Sequence, residues 1–251
     1  MKEKEIKESV KDRYSKIATG EEQTCSCCSG SPDIMEQAKA AGYTVDEIKS
    51  IPEEAIFGLG CGNPTALAEI NEGETVLDLG SGGGIDVFLA ANKVGENGKV
   101  VGVDMTEEMV QTAVKNAERG NYTNVEFKLG EIENLPLEDN SIDLIISNCV
   151  INLTPDKLVA YREAFRVLKP GGRILVSDLV TLGDLPDEIR RSFSAWSACV
   201  GGAVKKEEYL NIIKKAGFSA VEIIGSHYFT EPRMDVRLEG KILSIEVKAN
   251  K

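Results

Sequence analysis

The sequence contains a single histidine, His227, and a single tryptophan, Trp196, among 251 residues. One histidine excludes a histidine-rich metal site and leaves little room for a catalytic triad with a histidine base. Basic residues are also in the minority, because 29 Lys and Arg against 41 Asp and Glu give a net charge of −12. Such an acidic surface repels phosphate backbones and anionic membranes. We therefore expect neither nucleic acid nor a membrane as a partner.

Long hydrophobic runs are missing as well. No apolar run approaches the roughly 18 residues of a membrane span, and the opening segment MKEKEIKESVKDRYSK has no apolar secretory centre. These features predict a cytoplasmic protein, and we expect a monomer. Without an export signal, the six cysteines are expected to be mostly thiols.

From residue 75 onward, short apolar runs alternate with helical patterns. The strand candidates are rich in Val, Ile and Leu: TVLDL (75–79), KVVGVD (99–104), VEFKL (125–129), IDLIISNCV (142–150) and RILVSDL (173–179). This alternation predicts an α/β fold with a mostly parallel sheet and helices on both faces.

The sequence also indicates where helices begin and end in this part of the chain. Thr106 and Thr154 are N-cap candidates for helices that end near residues 119 and 168. The apolar spacing of Phe193, Trp196 and Val200 predicts one helix over residues 187–200, followed by a helix over 205–216 and strands over 221–226 and 241–247.

The chain divides into two parts by pattern. Residues 1–70 lack strand patterns and begin with an amphipathic helix, so we expect a helical, cysteine-containing lid. Residues 71–251 form the predicted α/β domain, with a substrate-binding insertion at about 180–220.

A glycine loop, DLGSGGG from Asp78 to Gly84, follows the first strand candidate. Glycines there let the backbone approach a nucleotide-containing cofactor at the carboxyl edge of the sheet. Asp104 ends the second strand candidate, 20 residues after Gly84, where it can accept from two ribose hydroxyls. A dinucleotide fingerprint would need Gly or Ala where Ile85 stands, and Asp78 would repel a pyrophosphate. S-adenosylmethionine has a ribose and an ammonium but no phosphate, and so suits the loop better.

The sequence here resembles the class I S-adenosylmethionine-dependent methyltransferases, through DLGSGGG, Asp104 and the LKPGG turn before the fifth strand candidate. The resemblance implies a Rossmann-like sheet and S-adenosylmethionine as the cofactor. It places Glu131 and Ile132 near the adenine and Asn148 beside the methionine moiety. The full set of candidate cofactor-binding residues is Asp78, Gly80, Ser81, Gly82, Gly84, Asp104, Met105, Glu131, Ile132 and Asn148.

Three cysteines fall where a substrate pocket is expected, although they are remote in sequence. Cys149 follows Asn148 at the end of the fourth strand candidate, and Cys199 shares a helical face with Trp196. Cys61 lies between glycines in GLGCGNP, which should leave its sulfur accessible. The alternative for Cys149 and Cys199 is burial as small hydrophobic residues, and it stays open at this point.

The resemblance narrows to the arsenite methyltransferases through GLGCGNP, DLGSGGGIDVF, GVDMTEEMV, SNCVINLTPDK, RVLKPGGRILVSD and WSACVGGA. It implies that Cys61, Cys149 and Cys199 bind arsenic(III) as thiolates, with arsenite as the small-molecule substrate and methylarsenite as a further one. Thiolates select soft centres of this kind. A trivalent arsenic on three sulfurs keeps a lone pair for the methyl group, so the transfer needs no histidine base. The three thiols show no paired knuckle typical of zinc.

Cys25, Cys27 and Cys28 form a separate cluster in a polar loop. The resemblance implies that an N-terminal cysteine, with Cys28 or Cys27 favoured, forms a disulfide with Cys61 when arsenic is oxidised. An external thiol reductant, thioredoxin or a small thiol, would then reduce it. An exposed reducing tail or an adventitious metal clip is the alternative.

Two other functions remain open from the sequence. One is a methyltransferase for another small molecule such as a quinol, with the cysteines buried in the core. The other is a thiol-rich protein that sequesters soft metalloids without catalysis. His227 is interpreted as a structural or surface residue.

Overall fold

A seven-stranded sheet forms the centre of the fold in the computed structural model, which describes residues 2–22, 34–230 and 235–251. The strands are β1 (Thr75–Leu79), β2 (Lys99–Asp104), β3 (Val125–Leu129), β4 (Ile142–Asn148), β5 (Leu168–Thr181), β6 (Ser219–Tyr228) and β7 (Ile242–Asn250). Their order across the sheet is β3-β2-β1-β4-β5-β7-β6. Strands β1 to β5 are parallel, and β7 runs antiparallel to both β5 and β6. The predicted α/β class with a mostly parallel sheet is confirmed.

Helices connect and flank these strands. In the described residues they are α1 (Glu3–Thr19), α2 (Ile34–Ala40), α3 (Val45–Lys49), α4 (Pro64–Leu67), α5 (Ile85–Val94), α6 (Glu107–Arg119), α7 (Lys157–Val167), α8 (Asp187–Arg190), α9 (Phe193–Ser197) and α10 (Lys206–Lys215). Short 3-10 turns cover Glu53–Ala55, Ile151–Leu153 and Val236–Leu238. Within the described ranges, no helix has both the length and the apolar character that crossing a membrane requires.

The two faces of the sheet bury different side chains because successive residues of a strand point in opposite directions. Leu77 and Leu79 of β1 pack in one cluster with Tyr161 of α7 and Tyr209 of α10. Val76 of β1 belongs to the cluster on the other face, together with residues of α5. Both faces of the sheet are therefore covered by apolar clusters.

The ends of two strands differ from the prediction. Strand β4 ends at Asn148, because Cys149 adopts a left-handed backbone with φ 61° and leaves the ladder. Strand β5 begins at Leu168 rather than Arg173, since Leu168 already pairs with Ile142 across an irregular register. The predicted KPGG turn is therefore part of the strand.

Two helix predictions are wrong in detail. Helix α7 is capped by Asp156 and not by Thr154, because the Asp156 carboxylate accepts from the backbone N–H groups of Leu158 and Val159. The predicted helix over 187–200 is two short helices, α8 and α9. Ser192 starts α9 by accepting from the N–H of Ala195, and the chain turns again at Cys199 with φ 62°.

Candidate active site

The glycine loop lies at the carboxyl ends of β1 and β2 and borders a cavity. Gly80 has φ 69°, and a Cβ placed there would clash with the Val150 side chain. Its N–H donates to the Val103 carbonyl oxygen at 2.7 Å, which ties the loop to β2. A side chain at Gly80 would disrupt this close approach. Gly84 is the N-cap residue of α5, and its φ of 100° also lies in the left-handed region that favours glycine.

Asp104 fixes the same loop from β2. One carboxylate oxygen accepts from the Gly82 N–H at 3.0 Å and the other from the Thr106 N–H at 2.8 Å. Burial raises the pKa of Asp104, and these backbone hydrogen bonds oppose the increase. The carboxylate therefore already organises the loop and also faces the cavity.

Two further carboxyl groups border the cavity, Asp78 and Asp86, and both are 2% exposed. Burial raises the pKa of Asp78 well above its ordinary value, and the neighbouring charges of Asp86 and Asp104 raise it further. Burial raises the pKa of Asp86 to about 6, opposed by hydrogen bonds from Tyr43 and Asn148. A cation in this cavity would relieve the repulsion among the carboxylates.

The predicted site cysteines meet in one buried cluster. Cys61, Cys149 and Cys199 share it with apolar residues such as Leu153 and Leu179. Cys61 and Cys149 are joined by a disulfide, with their Cα atoms 5.9 Å apart. The Cys199 thiol donates to the Cys149 carbonyl oxygen at 2.8 Å. Cys149 and Cys199 line the cavity, whereas Cys61 is not among the lining residues and meets the cavity wall through its bond to Cys149.

The expectation that the Cys61 sulfur is accessible is wrong, since Cys61 is only 4% exposed. The flanking glycines let the loop pack closely against the sheet, so they do not expose the Cys61 sulfur. A Cβ on Gly62 would meet the Ser177 Oγ of β5 at 2.7 Å. With the disulfide in place, the described residues contain no group of three or more His, Cys, Asp or Glu side chains placed to hold a metal ion.

The backbone at two of the cysteines is strained. Cys149 and Cys199 have φ of 61° and 62°, a region that costs non-glycine residues roughly 1–3 kcal/mol. At Cys149 the turn is held by a hydrogen bond from its N–H to the Ser177 carbonyl oxygen at 2.8 Å. At Cys199 the N–H donates to the Trp196 carbonyl oxygen at 2.9 Å. Such strain is common at ligand sites, where it directs side chains.

Helix α1 closes one side of the cavity. Lys7, Val10 and Tyr14 line it, and the Tyr14 hydroxyl is hydrogen-bonded to Cys199. Burial raises the pKa of Tyr14 well above its ordinary value, and Cys199 adds to this effect. Lys7 forms ion pairs with Glu131 at 2.8 Å and Glu133 at 2.9 Å. The N-terminal helix is therefore fastened to the segment after β3.

Behind Cys199 lies a buried ammonium group. Lys157 is 6% exposed, and its Nζ lies 5.8 Å from the centroid of the Trp196 ring. Burial lowers the pKa of Lys157 to about 8, against the opposing charges of Asp178 and Cys199. Burial raises the pKa of Asp178 to about 6, and the Lys157 charge opposes this.

The remaining predicted site residues fall in three groups. Met105 and Ile132 line the cavity, whereas the Glu131 side chain turns to Lys7. Asn148 lines the cavity and contacts the loop of Cys61. The predicted residues Cys25, Cys27 and Cys28 lie outside the described residues. His227 is half-exposed, with its Nδ1 3.9 Å from Glu246.

Sequence reasoning missed four residues at this site: Tyr14, Tyr43, Asp86 and Glu133. Asp86 follows the glycine loop directly, so its position in the helix N-terminus was an available signal. Glu133 stands two residues after Glu131, and only the turn after β3 decides which of them faces the cavity. No local pattern marks Tyr14 or Tyr43.

The residues of the cavity fit S-adenosylmethionine. The Ser81 hydroxyl is buried and has no hydrogen-bond partner among the described residues, although it lines the cavity. A buried hydroxyl without a partner is costly, so it favours a ligand that supplies one. The acidic groups Asp78, Asp86 and Asp104 suit a ligand with an ammonium and a sulfonium centre.

Comparisons with known proteins agree with this geometry. The family model described as "Methyltransferase domain" matches residues 70–217. The chain is 42% identical over 238 residues to the arsenite methyltransferase of Halobacterium salinarum, covering 90% of this chain and 61% of that protein. It is 34% identical over 241 residues to the human arsenite methyltransferase, covering 92% and 62%. The chain thus spans about three fifths of the length of these curated relatives.

A solved structure gives the same result. The arsenic(III) S-adenosylmethionine methyltransferase from Chlamydomonas reinhardtii matches with a TM-score of 0.69 and 34% identity, over 88% of this chain and 75% of that one. The chain therefore belongs to the methyltransferase-domain proteins and, within them, to the arsenite methyltransferase family.

Proposed function

We propose that this chain transfers the methyl group of S-adenosylmethionine to trivalent arsenic, with arsenite as the first substrate and methylarsenite as the next. One observation carries the proposal: Cys61, Cys149 and Cys199 share a buried cluster at the wall of the cavity that the glycine loop borders. The named activity of the relatives supports it.

In this proposal the loop from Gly80 to Gly84 receives the donor, and Asp104 accepts from its ribose hydroxyls. Asp78 faces its ammonium group, Ser81 gains the partner it lacks, and Asn148 contacts the methionine moiety. The apolar side chains of Met105 and Ile132 border the adenine. When bound, the donor supplies an electrophilic methyl group on a cationic sulfur atom.

Arsenic binding requires the disulfide between Cys61 and Cys149 to be reduced first. Two external thiols would supply the electrons: two protein thiols form, and the external thiols leave as their own disulfide. Arsenite then exchanges its three hydroxides for the sulfurs of Cys61, Cys149 and Cys199, and the thiol protons leave with the hydroxides as water. The apolar neighbours Leu153 and Leu179 keep solvent from the arsenic lone pair.

Methylation removes two electrons from the arsenic lone pair, so a return to the trivalent state needs two electrons from thiols. We propose that Cys28 or Cys27 supplies them together with Cys61 by forming a disulfide. Thioredoxin or a small thiol then reduces that disulfide.

The domain organisation belongs to the same proposal. Residues 1–70 act as a lid, of which α1 supplies Tyr14 beside Cys199. Residues 180–220 act as the substrate-binding insertion, because they bring Cys199 to the cavity. The remainder of 71–251 forms the donor-binding domain.

Product analysis tests the activity. The reduced protein is incubated with arsenite, S-adenosylmethionine labelled in its methyl group and a thiol reductant, and the arsenic species are separated and counted. We expect labelled methylarsenic to exceed the amount of protein several-fold. Bound arsenic without methylated product would indicate sequestration, and label on an added quinol instead of arsenic would indicate the other methyltransferase.

A pair of variants then tests the role of the thiols. Cys199→Ser is expected to lower arsenic methylation at least 100-fold and to leave the donor dissociation constant within about two-fold, because none of the donor contacts proposed above involves Cys199. Ala198→Ser makes a change of similar size one residue away and should retain activity. Retained methylation in Cys199→Ser would exclude the three-thiolate site.

A further inference from the structure

A buried chain of hydrogen bonds connects the N-terminal segment to the Cys61 loop. It begins at Tyr43, between α2 and α3, whose hydroxyl lies 2.9 and 3.0 Å from the two carboxylate oxygens of Asp86. It continues to the side-chain amide of Asn148, whose Nδ2 lies 3.0 Å from the Tyr43 hydroxyl. Tyr43 is 3% exposed and Asp86 2% exposed, so water competes little with these contacts.

The Asn148 side chain forms hydrogen bonds with two backbone groups of the Cys61 loop, one at Cys61 and one at Gly62. Its Oδ1 accepts from the Cys61 N–H at 3.0 Å, and its Nδ2 donates to the Gly62 carbonyl oxygen at 2.7 Å. These two contacts fix which end of the amide is oxygen and which is nitrogen. One N–H of the amide remains, and it donates to the Tyr43 oxygen. A longer contact of 3.4 Å joins the same nitrogen to Asp86.

The direction of every hydrogen bond in this chain is therefore determined. The Tyr43 oxygen accepts from Asn148, so its own proton must go to Asp86, which is an acceptor when ionised. Loss of the Tyr43 hydroxyl would leave one N–H of Asn148 and part of the buried Asp86 carboxylate without a partner. The Asn148 amide could then rotate away from the loop.

The Cys61 loop has little room to move while Asn148 is in place. A Cβ on Gly60 would meet the Asn148 Nδ2 at 2.7 Å. On the opposite side, the Ser244 hydroxyl of β7 donates to the Cys61 carbonyl oxygen at 2.8 Å. The loop is held between β4 and β7 by side chains that contact its backbone and leave its sulfur directed to Cys149.

We propose that Tyr43 is a positioning residue for Cys61: it receives the Asn148 amide, delivers its proton to Asp86, and so holds the Cys61 sulfur beside Cys149. This deepens the proposed function, because Cys61 is one of the proposed arsenic ligands. Its central statement, however, concerns only the proximity of two sulfur atoms and is measurable without arsenic or methyl donor.

The equilibrium between disulfide and thiols measures that proximity. One Cys61–Cys149 disulfide and two glutathione molecules exchange for two protein thiols and one glutathione disulfide. The closer the reduced sulfurs are held, the more the equilibrium favours the protein disulfide. The linked Cys61–Cys149 peptide is quantified by mass spectrometry after acid quenching and alkylation, across glutathione buffers of defined ratio.

Tyr43→Phe keeps the ring and removes the hydroxyl, and it should shift this exchange at least ten-fold toward the two protein thiols. Asp86→Asn, which still offers Tyr43 an acceptor oxygen, should shift it less. Tyr122→Phe is the matched control, because the Tyr122 hydroxyl donates to a backbone carbonyl, that of Ser50, at 3.3 Å and lies away from the cavity. We expect the control to stay within two-fold of the parent.

Arsenite affinity gives a second readout of the position of Cys61. Tyr43→Phe should weaken arsenite binding at least ten-fold, followed by Trp196 fluorescence, whereas Tyr122→Phe should leave it within two-fold of the parent. An unchanged disulfide equilibrium in both Tyr43→Phe and Asp86→Asn would overturn the proposal. A shifted equilibrium in a parent protein that methylates no arsenic would support the positioning role and refute only the function.

Discussion

Ser81 illustrates how a single residue reveals a ligand site. Its hydroxyl is buried without a partner among the described residues, and Ser81 lines the cavity. A buried hydroxyl without a partner is unfavourable in the protein alone. The cost is removed when a ligand donates to it or accepts from it.

Ser81→Ala is therefore expected to separate stability from binding. Removal of an unpaired hydroxyl should leave the free energy of unfolding unchanged or slightly higher, whereas loss of about 1 kcal/mol of hydrogen bonding should weaken donor binding roughly five-fold. Calorimetric titration with S-adenosylhomocysteine and chemical denaturation measure the two effects. Ser147→Ala is the control, because the Ser147 hydroxyl donates to the Leu79 carbonyl oxygen. Equal donor affinity in Ser81→Ala and the parent would refute the contact.

Lys157 makes the free energy of unfolding depend on pH. Its pKa is about 8 in the folded protein against an ordinary 10.5. Between these values the unfolded chain binds more protons than the folded one, so the contribution of Lys157 to the free energy of unfolding rises with pH. From about pH 7.5 to about pH 9.5 the increase should be about 2 kcal/mol.

In Lys157→Met, the free energy of unfolding should not show this increase with pH. Guanidinium denaturation at the two pH values, without reductant, measures it as the difference between parent and variant. Lys115→Met removes an exposed lysine and should keep the parent's dependence. A Lys157→Met variant that gains as much stability with pH as the parent would contradict this role of Lys157.

At this scale the sequence singled out the three cysteines that share a buried cluster, and their role as arsenic ligands stays a prediction. The sequence did not indicate the contacts that hold them in place. Cys61, Cys149 and Cys199 were found because their flanking motifs are local. Tyr43, Asp86 and Asn148 meet from positions 43, 86 and 148, a juxtaposition that only the packed sheet creates. The burial of Cys61 was missed for the same reason, since Ser177 and Ser244 approach its loop from other strands.

Helix α1 is the element that connects the N-terminal part to the site. It lines the cavity through Val10 and Tyr14. Lys7 joins it to Glu131 and Glu133. The helix therefore depends on packing and one cluster of charges for its position.

Charge reversal at Lys7 should loosen this element. Lys7→Glu places a third carboxylate beside Glu131 and Glu133, so amide hydrogen exchange across residues 3–19 should accelerate roughly ten-fold, with the sheet unaffected. Hydrogen exchange followed by mass spectrometry measures it. Lys4→Glu on the same helix is the control, since the Lys4 side chain is 85% exposed and its partner Glu8 lies 3.7 Å away. Similar exchange in both variants would contradict the role of the ion pairs.

Elements with a strong local pattern were predictable, and those that depend on tertiary contacts were not. Strands β1, β2 and β3 have the predicted bounds, because each is a short apolar run between turns. The chain over 187–200 is apolar at helical spacing, yet it divides at Ser192, where a capping hydroxyl starts α9. Cys199 follows the second of these helices and lines the cavity.

On the scale of the whole molecule, the strand order brings β1, β2 and β4 side by side, so that the glycine loop, Asp104 and Asn148 meet at one edge. The net charge of −12 acts on every ligand that approaches this edge. S-adenosylmethionine has a net positive charge, whereas S-adenosylhomocysteine is neutral overall. The field of the protein should therefore favour the donor over the product.

Salt should consequently slow donor association. Raising the ionic strength from low salt to roughly 0.5 M should reduce the association rate constant of S-adenosylmethionine about three-fold and leave that of S-adenosylhomocysteine nearly constant. Surface plasmon resonance with immobilised protein compares the two ligands. Equal salt dependence for both would contradict electrostatic steering.

The convergence of three thiolates on one arsenic atom is the central claim, and X-ray absorption at the arsenic edge tests it most directly. The reduced protein is loaded with one equivalent of arsenite in the absence of donor. We predict three sulfur neighbours around arsenic and no oxygen neighbour, with one sulfur lost in Cys199→Ser. An arsenic atom that keeps oxygen neighbours in the parent protein, with a spectrum unchanged in Cys199→Ser, would contradict the account.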